Sequence, residues 1–273
     1  MVKKLFKHEF LSYIRIMGVV YIILLTVAAA GRIIQCFESD SLSYGIISGV
    51  SAVTYGVSVF VAAAFAFALA IIRFYKNLFT SEGYLTFTLP ITPAQHILVK
   101  VITAVSMMLM TIVAILLSVC IMTAGKLFSQ ILTGFSELFA VMNGWDIFHF
   151  VIMLFESAIA FLLSLSASVL LYYTFISIGQ LFKKNRILAA VGAYFAYYLL
   201  TQILSTIFLV VFAVSAATDG FQEFLLKLGN FMTEHPYVSL HCAVWIVILL
   251  ISAFILVEFV VIKKIITKRL NLE

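Results

Sequence analysis

The sequence predicts an all-α membrane protein: six transmembrane helices, an N-terminal amphipathic interfacial helix, and both termini cytoplasmic. Three observations carry this expectation. The 273 residues are 64% hydrophobic and 11% charged, with a mean hydropathy of +1.18, where soluble domains are roughly half apolar and a quarter charged. The apolar residues form blocks instead of periodic stripes. Six blocks, 17–34, 46–72, 99–124, 148–180, 188–214 and 240–262, are long enough to cross a bilayer. Those that exceed the roughly 20 residues needed must tilt, kink or run past the lipid. Finally, the cations are unevenly placed. With both termini inside, Lys3, Lys4, Lys7, Arg15, Arg73, Lys76, Lys100, Lys183, Lys184, Arg186, Lys263, Lys264, Lys268 and Arg269 fall on the cytoplasmic side, 14 of the 17 basic residues. Only Arg32, Lys126 and Lys227 fall opposite. Basic residues near helix ends resist translocation, so the asymmetry sets the expected orientation. The net charge of +5 therefore reads as topology, and no nucleic-acid partner is implied.

Residues 1–16, MVKKLFKHEFLSYIRI, place Val2, Leu5, Phe6, Phe10, Tyr13 and Ile14 at helical spacing, with Lys3, Lys4, Lys7 and Glu9 largely opposite. That pattern predicts a basic amphipathic helix on the cytoplasmic leaflet. The basic start, the apolar run 18–27 and the small residues 28–31 imitate a cleavable signal peptide. Cleavage would leave five spans and spoil the charge pattern, so 17–34 reads as the first span. Cys36, Cys120 and Cys242 map near the outer helix ends. A Cys36–Cys242 bridge is conceivable there, but sparse cysteines among apolar neighbours read as small packing residues. No CxxC, HExxH or His/Cys cluster supports a metal.

The second span carries Gly45 and Gly49 as a GxxxG, with Ser48, Ala52 and Gly56 as another small-residue row. Such faces admit a close helix neighbour, or simply reflect the abundance of Gly and Ala in membrane helices. After it, Arg73–Phe79 (RFYKNLF) continues outward, and Gly83 is a helix stop. The stretch YLTFTLP ends in Pro90, which disfavours helix at Leu89. Thr92, Pro93 and Gln95 then form a capped helix start. About 26 residues, 73–98, thus make a structured cytoplasmic excursion tied to spans at both ends. Tyr75, Phe79, Tyr84, Leu85, Phe87 and Leu89 would stand in water there unless they touch headgroups or a partner. These residues alone leave both options open, with Arg73 and Lys76 able to hold the segment on the membrane surface.

Helical repeats of apolar residues in 126–142 and 221–232 predict helices in the outer interface, within outer segments 125–147 and 215–239. Two acids fall in apolar runs, where charge is expensive. Glu258 lies one turn from Lys263 and Lys264, so snorkelling accounts for it. Glu156 is a candidate for a polar translocation path. No outer loop is long enough for a folded receptor domain, so residues 1–273 read as a single membrane domain.

The N-terminal helix, six spans, and F-x-x-N-L-F-T-S-E-G-Y-L-T-F-T-L-P-I-T before a helix with a lysine resemble the membrane subunit of an ABC-2-type transporter. The resemblance implies a permease of the plasma membrane. Its coupling loop, Tyr75, Lys76, Phe79, Glu82, Gly83, Tyr84, Leu85, Leu89 and Pro90, would dock a cytoplasmic ATP-binding cassette subunit. It also implies a second permease copy or paralogue, with spans one, two and five at their interface, and a short helical excursion between spans five and six. The helical loop after span three stands outside that pattern. The chain has no GxxxxGK[ST], so ATP is expected in the partner and no cofactor here. Apolar spans and short outer loops suit export of an amphiphilic, lipidic or peptide cargo. The competing readings are a membrane-embedded enzyme, a protease or lipid transferase using His149 and Glu156 seven residues apart, and an ATP-independent carrier.

Overall fold

Long runs of Leu, Ile, Val, Ala and Phe give the backbone little reason to leave a helix, and the chain has only three prolines. Two of them, Pro93 and Pro236, open helices, the position where a missing N–H costs nothing. A computed structural model describes residues 2–37, 41–80, 83, 91–182 and 184–269. Among the described residues eight helices follow in order: α1 Val2–Cys36, α2 Leu42–Phe79, α3 Pro93–Met122, α4 Lys126–Val141, α5 Gly144–Gly179, α6 Arg186–Ala216, α7 Asp219–Glu234 and α8 Pro236–Arg269. There is no strand among them. Six helices, all but α4 and α7, are long and apolar enough to cross a membrane. The N-terminal amphipathic segment and the first span form one uninterrupted helix, α1, of 35 residues. The chain divides into two compact units, Met1–Ile147 and Phe148–Glu273.

In the first unit α1 packs along α3 and, less extensively, α2. Its buried residues Glu9, Tyr13, Met17, Leu24, Ala28 and Gly31 follow the helical repeat. Tyr13 and Met17 meet Ala66 and Leu69 of α2 and Met107 of α3 in one apolar cluster. Polar contacts fix the helices along their length. The Tyr21 hydroxyl lies 2.8 Å from Thr111 Oγ1, and the Tyr55 hydroxyl lies 2.8 Å from Ser118 Oγ. By contrast, a Cβ built at Gly45, Gly49 or Gly56 meets no described neighbour within 4 Å, so the small-residue face of α2 is uncovered in this chain.

In the second unit an aromatic seam joins α5 to α6: Tyr172 stacks on Tyr194 at 5.7 Å, and Phe175 contacts Tyr194 and Tyr197 at 5.6 and 5.3 Å. The turn between them is tight. Asn185 takes the left-handed conformation that Asn tolerates, and a Cβ at Gly179 would stand 2.5 Å from the Arg186 carbonyl oxygen. Otherwise α6 has no buried residue, and its surface is almost wholly apolar. The three cysteines are free thiols.

Candidate functional site

The sequence concentrates its candidate residues at the α2–α3 connection, and the helices flanking it are held by an unusual set of polar contacts. At its far end the capping box forms as the sequence predicts: Thr92 Oγ1 accepts from the Gln95 N–H at 3.4 Å, and Gln95 Oε1 accepts from the Thr92 N–H at 3.0 Å. One turn later Lys100 is 2% exposed and forms an ion pair with Glu9 of α1. Asn77 of α2 donates to the same carboxylate oxygen at 3.1 Å. Arg73 donates to the Ser12 carbonyl and hydroxyl at 2.9 and 2.7 Å, with its guanidinium 4.3 Å above the Tyr13 ring. Both ends of the connection are therefore bonded to α1.

These contacts revise three sequence expectations. Glu9 does not share the polar face of the N-terminal helix. It falls four residues before Tyr13 on the buried stripe, and Lys100 neutralises it there. Arg73 is occupied by α1, so it does not serve as a tether to the membrane surface. Phe79 is 6% exposed, because its ring packs edge-on against the fully buried Phe74 at 5.6 Å. Tyr75 is half-buried beside it and Lys76 is exposed. Gly83 is buried, with its N–H on the Thr80 carbonyl at 2.8 Å, and a Cβ there would stand 2.6 Å from the Leu78 oxygen. Only glycine allows that approach. Glu82, Tyr84, Leu85, Phe87, Leu89 and Pro90 lie outside the described residues.

The second unit brings the other candidate, Glu156, to the buried end of a partly exposed polar chain. The carboxylate is 6% exposed. Its Oε2 lies 2.7 Å from His241 Nδ1, and its Oε1 accepts from Trp245 Nε1 at 2.8 Å. His241 Nε2 is in turn 3.0 Å from His149 Nδ1, and the His149 ring stacks on Tyr237 at 4.3 Å. Sequence reading pairs Glu156 with His149, two turns apart on α5, but misses His241 and Trp245. Their signal was a histidine and an indole four apart on one face of an apolar helix. Glu258 departs from its expectation too. It sits on the buried stripe of α8 with Ile248, Ile262 and Ile265, is 3% exposed, and has no hydrogen-bond partner among the described residues. A side chain so enclosed does not reach an aqueous interface by snorkelling.

Compared with protein families, curated proteins and solved structures, the chain matches none of them. No group of three or more His, Cys, Asp or Glu among the described residues is arranged to hold a metal ion. What the two sites can do differs in kind. The Glu9–Lys100 network ties α1, α2 and α3 together, while the Glu156 chain is a row of titratable groups at hydrogen-bond distance from one another.

Proposed function

We propose that this chain is the membrane-spanning permease subunit of an ABC-type transporter, driven by a separate cytoplasmic ATP-binding subunit that docks on the α2–α3 connection. The observation that carries this reading is the bonding of both ends of that connection to α1. A push on the connection reaches Arg73 and Asn77 on one side and Lys100 on the other, and each is held by a residue of α1. α1, α2 and α3 then move together, because interlocked helices shift as packed bodies. The distribution of cations supports cytoplasmic termini and residence in the cell membrane. The uncovered glycine face of α2 suits the close approach of a second permease copy or a paralogue. The path between the two copies would carry an amphiphilic, lipidic or peptide cargo, and ATP hydrolysis belongs to the partner.

The test is affinity purification of the tagged chain from detergent extracts of its native host, with bound proteins identified by mass spectrometry and assayed for ATP hydrolysis. A P-loop ATPase is expected in stoichiometric amount. Tyr75→Glu and Leu85→Glu should lose it while the chain remains folded; Phe79 is unsuitable for this test because it is buried. Absence of any P-loop protein, or unimpaired capture by both variants, overturns the reading.

A further inference from the structure

The Glu156 chain has a protonation logic that the ATP-driven reading does not use. An ionised carboxylate only accepts hydrogen bonds. Trp245 Nε1–H supplies Oε1, so the proton between Glu156 Oε2 and His241 belongs to His241 Nδ1. A neutral His241 then has a lone pair on Nε2, and the 3.0 Å contact makes His149 Nδ1 its donor. Neutral His149 is left with its basic lone pair on Nε2. The tautomers of both imidazoles are thus fixed by the one carboxylate.

In this state the three groups carry a single negative charge, on the buried carboxylate of Glu156 within an apolar helix, which is the costly condition. A proton arriving at His149 Nε2 removes that cost in one hop. His149 passes its Nδ1 proton to His241 Nε2 and is neutral again, now as the Nε2–H tautomer. His241 becomes an imidazolium hydrogen-bonded to the Glu156 carboxylate, so the net charge is zero. One proton is taken up, no bond other than N–H is made or broken, and the reverse sequence releases it.

We propose that Glu156, His241 and His149 form a reversible proton-binding site in which His149 is the entry relay, His241 the acceptor, and Glu156 the counter-charge. Stacking of His149 on Tyr237, with Phe148 edge-on at 5.6 Å, keeps the relay ring in register. The contacts of the chain include Glu156, His149 and Phe148 from α5 and His241, Trp245 and Tyr237 from α8. One turn before His149, Asp146 accepts from the Asn143 N–H at 3.2 Å. α7 packs on α8 and contributes Asp219, Glu223, Lys227 and Glu234. None of these four bonds to the chain among the described residues, and Glu223 and Lys227 pair with each other at 2.8 Å in the open. His235, between α7 and α8, packs on Phe231. The proton site thereby joins α5 to α8 through charge that appears and disappears with occupancy.

Trp245 reports on the site directly. In the full-length chain with Trp145→Phe, Trp245 is the only tryptophan left, and an imidazolium beside its carboxylate partner alters its emission. A single-proton transition in its emission is expected as the pH is lowered. Glu156→Gln and His241→Phe should each lose the transition. His149→Phe should keep it but slow proton uptake after a stopped-flow pH jump. A flat emission in the folded Trp145→Phe chain overturns the proposal, and needs no further variant to fold. So does a transition that survives His241→Phe, or an uptake rate unchanged by His149→Phe. None of these readouts involves an ATPase, so they fail or succeed independently of the permease reading.

Discussion

Lys100→Met isolates the contact on which the coupling argument depends. The two side chains of the Glu9–Lys100 pair are 8% and 2% exposed, so the pair is screened little by solvent. In Lys100→Met the Glu9 carboxylate keeps one amide donor, Asn77 Nδ2 at 3.1 Å, on Oε1. Its Oε2 has no hydrogen-bond partner among the described residues even in the native chain. Removing one member of such a pair strands a buried charge and costs about 3–5 kcal/mol. At 1.4 kcal/mol per decade that is about two to four decades in the folding equilibrium. The double variant Glu9→Gln/Lys100→Met strands no charge. It should return to within about 1 kcal/mol of the native chain or exceed it, since apolar replacements of buried pairs are often neutral or stabilising. Titration with SDS from mixed micelles, followed by far-UV circular dichroism, measures all four corners of the cycle. A single variant within about 1 kcal/mol of native, or a double variant no better than Lys100→Met, refutes the idea that this contact is a buried, paired charge.

Three further outcomes follow from close approaches and caps. Gly179→Ala places a Cβ 2.5 Å from the Arg186 oxygen and 3.0 Å from the Ala190 nitrogen. Backbone cannot yield there, so about 1–3 kcal/mol of stability is lost in the same micelle titration. Gly31→Ala is the control, because its Cβ meets the Met122 thioether, at 2.8 Å from sulfur, and that flexible end swings aside. The gain in helix propensity, up to about 1 kcal/mol, makes it neutral or stabilising. Thr92→Ala removes the acceptor for the Gln95 N–H and costs about 1 kcal/mol. Hydrogen exchange should show faster amide exchange in the first turn of α3, with α5 and α8 unchanged.

The features that could be read from the sequence are those whose physics is local. Apolar runs locate the six long helices, since length and composition alone decide whether a segment can cross a bilayer, although α1 starts at Val2, well before its run, and α2 and α8 continue to Phe79 and Arg269, past theirs. Thr92, Pro93 and Gln95 announce the start of α3 because a cap is a contract among neighbours in the chain. Helices α4 and α7 were visible as repeats of Leu, Phe and Ile at a spacing near 3.6 residues. Phe79 was misplaced because an aromatic at a helix end has the same signature whether it faces water or a ring one turn away.

The sequence by itself determined that the chain is helical and apolar, with six segments long enough to span a membrane, and where α3 is capped. It could not assign partners to the buried charges. Glu9 and Lys100 are 91 positions apart, and Glu156 and His241 are 85 apart. A lone acid in an apolar run is equally consistent with snorkelling, a binding site or a structural pair, because its cost depends on what lies across from it. Tertiary packing chose among these. It gave Glu9 a cation, gave Glu156 two ring-nitrogen partners from α8, and left Glu258 buried with no hydrogen-bond partner among the described residues. Desolvation makes each of those choices energetically large, and only the neighbouring helix supplies the term that offsets it.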